Sequence, residues 1–401
     1  MRSRVLDEVG IDQGNNISAQ RLIPFRACRV EDLEPSLEIR VTNERVVMSE
    51  IATIGLDIAK NVFQLHAVDR SGKIVLRKAL RRSQVQGFFS RLPPCLIGME
   101  ACATAHHWAR TLMAFGHDVR LIPPAYVKPY LRRQKNDAAD AAAICEAVTR
   151  PSMRFVPVKS PQQQSTLMLH RARDLLIGQR TALINALRGH FAELGIVVAQ
   201  GARNTRQLLA FLHEEANLDF PTAARIALQP LATMLLGIET QIARLDKAIL
   251  AAHRSDPISV RLAAIPGIGP IVASCLSASV PDASLFQGSR EFAASLGLVP
   301  RQHSTGGKAR LGSISKMGNR HLRKLLVVGA HAALYSMKSG KTRTDLADWA
   351  RSLLAKKPFK VVAVALANKI ARIAWAVMAR NTAYEPGNKG AAAPTASYTA
   401  A

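Results

Sequence analysis

Between residues 50 and 150, short apolar runs of strand length alternate with stretches of helix length, and acids sit where those runs end or begin. The runs predict strands near 52–57, 62–68, 73–78, 95–100 and 118–122, with helices near 83–91, 104–115 and 137–149. Three early strands followed by helix–strand alternation restrict this region to an α/β layer on a mixed sheet. Asp57 closes the first run, Glu100 closes the fourth, and Asp137 and Asp140 open the alanine-rich helix after the fifth.

Taken singly, each acid has an ordinary explanation. An Asp after a strand is a turn residue, and an Asp at a helix start is a cap or a partner of the helix dipole. Together they allow a different reading. Spacing i, i+3 puts Asp137 and Asp140 on one helix face, and four carboxylates at two strand ends and one helix start can converge on hard cations. Two such ions roughly 3.5–4 Å apart suit in-line displacement at a phosphodiester.

Composition points the same way. Among 401 residues there are 54 Lys+Arg against 29 Asp+Glu, a formal net charge of +25, which predicts a polyanionic partner, nucleic acid first. A membrane surface would call for a basic amphipathic helix or a lipidation signal, and neither is evident. The apolar stretch 361–379 is interrupted by Lys369 and Arg372 and reads as a buried or amphipathic helix. Cys28, Cys95, Cys102, Cys145 and Cys275 lie far apart without a CxxC pair, which speaks against a zinc site and a disulfide framework; Cys95 and Cys275 read as core filler. The first residues lack the apolar segment of a secretory signal, so a cytoplasmic protein is expected.

The chain divides by pattern. Residues 1–49 are polar and aperiodic and are expected to be a disordered extension, with Met48 as the native start. Residues 50–160 form the α/β unit. In 161–256, Leu231, Leu235, Ile238, Ile242, Leu245 and Ile249 step by 4 and 3, an a/d seam that suits either packing on its own domain or a coiled-coil arm. Residues 257–380 read as a second, mostly helical unit, and 381–401 as a disordered tail.

Two motifs mark the second unit. IPGIGP, holding Gly267 and Gly269 between apolar helices, has the form of a helix-hairpin-helix turn whose amides can hold a phosphate, and equally that of an ordinary αα-turn. Further on, Arg301, Lys308, Arg310, Lys316, Arg320, Arg323 and Lys324 occur without an intervening acid, around Ser304, Thr305, Gly306 and Gly307. The bases suit phosphate contacts and the paired glycines a close backbone approach. A hydroxyl in that loop is either a further phosphate contact or a nucleophile.

With these residues in view, the chain resembles the DEDD transposases of bacterial insertion sequences, a family of bridge-RNA-guided recombinases. The likeness runs over about 50–380, through IGLDIAK at Asp57, GMEACATAHHWA at Glu100, KNDAADAAAICEA at Asp137 and Asp140, IPGIGP, and GLVPRQHSTGGKARLGSISKMGNRHLRKLL. The resemblance implies a RuvC-like, RNase H-type N-terminal domain using Mg²⁺ (Mn²⁺ substituting), a coiled-coil arm, and a C-terminal transposase domain with a catalytic serine. It also implies recombination of DNA under a noncoding bridge RNA, by dimers assembling to a tetramer with composite sites.

At one place the chain departs from that pattern. Relatives carry a serine directly before the loop glycine, whereas here Ser304 is followed by Thr305. An ungapped alignment puts Thr305 at the nucleophile's place; a one-residue deletion puts Ser304 there and brings Ser315 and Lys316 into register. Ser304 is favoured because a primary hydroxyl is less hindered. The competing classes are a Holliday-junction resolvase-like metal nuclease, which needs no serine, and a non-catalytic nucleic-acid-binding protein, which needs no acids.

Overall fold

In the computed structural model, described for residues 48, 50–131, 136–201, 204–213, 220–308, 310–340 and 344–386, the N-terminal strands form one five-stranded sheet. They are β1 (Thr53–Ile58), β2 (Val62–Val68), β3 (Ile74–Arg81), β4 (Leu96–Glu100) and β5 (Asp118–Ile122), in the order β3-β2-β1-β4-β5. β1–β2 and β2–β3 pair antiparallel; β1–β4 and β4–β5 pair parallel through helical crossovers. This mixed sheet is consistent with a RuvC-like domain. β3 runs further than its sequence suggested because Leu80, buried opposite Phe63, extends the ladder.

Period-2 alternation assigns the sheet's faces. Ile54, Leu56, Ile97 and Met99 point to a core shared with Phe88 and Phe89 of α1 (Val85–Phe89) and Trp108 and Leu112 of α2 (Ala105–Met113). Thr53, Gly55 and Asp57 of β1, with Leu96, Gly98 and Glu100 of β4, point the other way. There α3 (Pro124–Val127) and α4 (Asp137–Val148) pack around Ile122, Ile144 and Val148. The expectations for 1–47 and 387–401 lie outside the described residues.

Two long helices follow. α5 (Pro161–Glu193) starts in a capping box between Ser160 and Gln163. α6 (Thr205–His213) packs beside its end, and α7 (Thr222–Ser255) runs along α5. The seam positions Leu235, Ile242 and Ile249 are buried, and Arg173 of α5 pairs with Asp246 of α7. The last helices are α8 (Pro257–Leu262), α9 (Pro270–Ser279), α10 (Ser289–Ser295), α11 (Arg320–Lys338), α12 (Asp345–Leu354) and α13 (Phe359–Arg380), gathered on one apolar core. α7 and α13 are long and apolar enough to cross a membrane by length and composition alone. α13 spends its apolar face on this core through Val362, Leu366, Ile370 and Ala374, and Lys369 lies 4.3 Å from the Trp349 ring centre.

The C-terminal unit also contains a two-stranded hairpin, β6 (Pro300–Gln302) with β7 (Leu311–Ile314), that its sequence did not suggest. Both strands are largely exposed, so no apolar alternation marks them.

Candidate active site

The acids meet because two neighbouring strands are bare at the same level. Gly55 of β1 and Gly98 of β4 are register partners on the face toward α4. A Cβ on Gly55 would stand 2.0 Å from the Ala141 carbonyl oxygen and 2.4 Å from the Cys145 amide nitrogen; one on Gly98 would stand 2.7 Å from the Val148 Cβ. Helix α4 therefore lies in a trough only glycine can provide. Asp57 and Glu100 follow two residues beyond these glycines on the same face, at the strand ends. Asn136 caps α4 by accepting from the Ala138 amide at 3.0 Å, which places Asp137 and Asp140 in the first turn above those ends.

As a result, Asp57, Asp137 and Asp140 each offer a carboxylate oxygen within 4.8 Å of the others. Glu100 lies outside that trio but couples to it. Burial, then Asp140, Asp137 and Glu100, pushes the Asp57 carboxyl up to about 6. Burial, then Asp140, raises Glu100. Carboxylates crowded closely enough to raise the proton affinity of Asp57 and Glu100 are a donor set for a hard dication, with all-oxygen ligands at a helix N-terminus. The residues present fit divalent-metal binding.

Two residues beside the site carry no motif of their own in the sequence. The exposed Cys102, two residues past Glu100, has its thiol raised by burial and by the charges of Glu100 and Asp57. Thr104, at the start of α2, holds φ +70, which a β-branched residue rarely adopts. Sequence adjacency to Glu100 was the one available signal for both.

The basic loop is the β6–β7 hairpin. Its tip is Thr305-Gly306-Gly307-Lys308, closed by the Lys308 amide donating to the Thr305 carbonyl at 3.0 Å, with φ +54 and +76 at the two glycines, the geometry of a type I′ turn. Ser304 is exposed, and its Oγ accepts from Gln302 Nε2 at 2.9 Å. Arg301, Lys308, Arg310, Lys316 and Arg320 are likewise exposed. Arg323 is not. It is 9% exposed and donates to the carbonyls of Leu296 (3.0 Å) and Met317 (2.6 Å), so it ties down the hairpin's base instead of facing a phosphate. Lys324 pairs with Asp174 of α5 at 2.6 Å.

In IPGIGP the two glycines part company. Gly267, at φ +90, packs its backbone on α11, where a Cβ on Gly329 would stand 2.0 Å from the Gly267 carbonyl oxygen. Its glycine identity follows from that contact. Gly269 is exposed at the N-cap of α9, and Pro270 occupies the first helical position.

Comparison with known proteins agrees with this geometry. The pattern of a DEDD transposase family matches residues 54–196, which span the four acids, and that of the transposase IS116/IS110/IS902 family matches residues 259–346, which span IPGIGP and the hairpin. A probable family 20 transposase of Pseudomonas aeruginosa is 50% identical over 84% of this chain and 99% of its own length. The transposase for insertion sequence element IS1328 of Yersinia enterocolitica is 40% identical over 84% of this chain and 99% of its own length. That for IS1111A of Coxiella burnetii is 39% identical over 85% of this chain and 93% of its own length. Like them, the chain acts on DNA as an enzyme that cleaves and rejoins strands, with the divalent-metal dependence that a DEDD site implies. It belongs to the IS116/IS110/IS902 family of DEDD transposases.

Proposed function

We propose that this transposase recombines the ends of an insertion sequence with its target, using Asp57, Glu100, Asp137 and Asp140 as a Mg²⁺ site and Ser304 as the nucleophile. The observation that carries the reading is the convergence of Asp57, Asp137 and Asp140 beside Glu100. When bound, Mg²⁺ or Mn²⁺ supplies charge stabilisation to the reacting phosphate. The four carboxylates would hold the ion at the strand ends, and the exposed bases of and beside the hairpin neutralise charge that develops on the phosphate oxygens. Ser304 Oγ forms a bond to phosphorus while the bond to one DNA oxygen breaks, and the serine proton passes through solvent to that oxygen, which leaves as a hydroxyl. Attack by a hydroxyl of the new strand then reverses these steps, frees the serine and conserves the phosphodiester. Gln302, donating to Ser304 Oγ, orients the hydroxyl. Thr305 is the alternative nucleophile, but it is β-branched and its own carbonyl closes the turn.

The carboxylates and Ser304 belong to different units of the chain. The reading therefore includes a composite site, in which one subunit's acids meet another's serine within a dimer of dimers, with the α5–α7 pair as the arm that sets their spacing. IPGIGP serves as a helix-hairpin-helix contact to nucleic acid through Gly269. A noncoding bridge RNA acts as guide, in keeping with the net charge of +25.

In a plasmid recombination assay, the double variant Asp57→Ala/Asp140→Asn should lose recombination and retain DNA binding; a double variant that still recombines overturns the metal site. Trapped reactions digested to peptides should carry DNA on Ser304, and Ser304→Ala should abolish cleavage while Thr305→Ala is milder. An adduct on Thr305 reassigns the nucleophile. Metal-dependent cleavage with no adduct favours the resolvase-like reading. Equal recombination with and without the element's noncoding transcript removes the RNA.

A further inference from the structure

Away from the carboxylates, three residues from three helices meet in the helical core: His170 of α5, Cys275 of α9 and His321 in the first turn of α11. One nitrogen of each imidazole and the Cys275 sulfur lie within 4.8 Å of one another. His170 is 1% exposed and Cys275 fully buried. His170 Nε2 is 3.2 Å from the Ser274 hydroxyl, but its Nδ1 is buried without a partner. His321 Nδ1 has only the Asp174 carboxylate, 3.4 Å away, and His321 Nε2 has none. An apolar core does not leave imidazole nitrogens unsatisfied without loss of stability, so these atoms call for a ligand.

The outer contacts are those of a metal centre. In ligating histidines the second nitrogen is typically held by a carboxylate or another polar group, which fixes the ring and leaves the first nitrogen for the ion. Here Asp174, itself held by Lys324, faces His321, and Ser274 engages His170. Two imidazoles and one thiolate are a donor set for Zn²⁺, unlike the oxygen ligands that Mg²⁺ selects. Burial, aided by His321 and Arg173, brings the His170 imidazole down to about 4, which keeps it in the neutral form that ligates. Burial pushes the Cys275 thiol up to about 12, so only a cation at the sulfur would hold it as thiolate; its proton then leaves to solvent. The thiolate's charge in turn offsets the repulsion between a dication and the neighbouring Arg171 and Arg173.

We propose that His170, Cys275 and His321 form a zinc-binding site that pins helix α5 to the helices following IPGIGP and the basic hairpin. The Cys275 that reads as core filler in the sequence becomes a ligand because the fold brings two histidines to it. Through α5, the site ties the long helical pair to the element that presents Ser304.

The test measures metal, not recombination. The full-length protein, purified from zinc-supplemented cells and dialysed against metal-free buffer, should hold about one zinc ion per chain by plasma mass spectrometry. The Asp57→Ala/Asp140→Asn protein should retain it, which separates this site from the carboxylates. Cys275→Ser and His321→Gln should lower zinc content about tenfold or more. His321 is partly exposed, so His321→Gln keeps the test open if Cys275→Ser does not fold. Cobalt-substituted wild type should develop a thiolate-to-metal charge-transfer band that is missing in Cys275→Ser. Folded wild type without bound zinc and without the cobalt band overturns the proposal, as does zinc retained by folded His321→Gln at the wild-type level.

Discussion

At Asp57, burial and three neighbouring carboxylates act in the same direction, lifting the carboxyl from an ordinary 3.8 to about 6. The sign of the consequence is fixed by linkage. Between those two values the folded chain holds this proton more tightly than the unfolded chain does, so its stabilising contribution is complete below about pH 4 and is lost as pH rises through 6. In the presence of a chelator, urea denaturation of the wild type should therefore be easier at pH 7 than at pH 5. Asp57→Asn should remove part of that slope and stabilise the metal-free protein at pH 7 by on the order of 1 kcal/mol, the small figure reflecting solvent screening at a half-exposed site. Added Mg²⁺ should stabilise the wild type and not the variant. Equal stability of the two proteins at pH 7 without metal would mean that the acids do not repel as their spacing requires.

The decisive element is α4, whose seat on the sheet depends on two missing side chains. Gly55→Ala would drive a Cβ into the backbone of Ala141 and Cys145, which no side-chain rotation relieves. Denaturant titration should find a loss of about 1–3 kcal/mol, with loss of recombination, because α4 carries Asp137 and Asp140 away from Asp57 as it shifts. Gly87→Ala in α1 is the control: nothing lies within 4 Å of its added Cβ, and it should stabilise by about 0.5–1 kcal/mol. The bases that follow the hairpin divide in a similar way. Arg323→Met leaves two carbonyls unsatisfied and should cost about 1–3 kcal/mol. The exposed pair Lys316→Ala/Arg320→Ala should leave stability near wild type and lower the slope of log affinity against log salt by about one for each phosphate no longer neutralised. A double variant with the wild-type slope but changed sequence preference would remove these two residues from the phosphate-contacting set.

For the whole molecule, a formal net charge of +25 makes nucleic-acid binding electrostatic before it is specific. If 6–10 phosphates are neutralised, affinity for arbitrary duplex DNA should fall by roughly 10³–10⁵ between 50 and 200 mM salt. Fluorescence anisotropy checks this, and a flat profile would contradict it. At this scale the limits of reading a chain in one dimension are also plain. The five strands and the positions of Asp57, Glu100, Asp137 and Asp140 at element ends were legible in the sequence, because period-2 burial and helix capping are local rules written into adjacent residues. The hairpin around Ser304 was not, since its exposed strands carry no apolar alternation. Neither was the separation of Arg323 from its exposed neighbours, nor the seat of Gly267 on Gly329, because each depends on a partner brought up by packing. His170, Cys275 and His321 lie about a hundred and about fifty residues apart, with no local spacing to connect them. The sequence by itself determined which segments become strands and helices and where charge accumulates. Only the tertiary structure decided which side chains face each other, because contacts between distant residues are set by how whole elements pack.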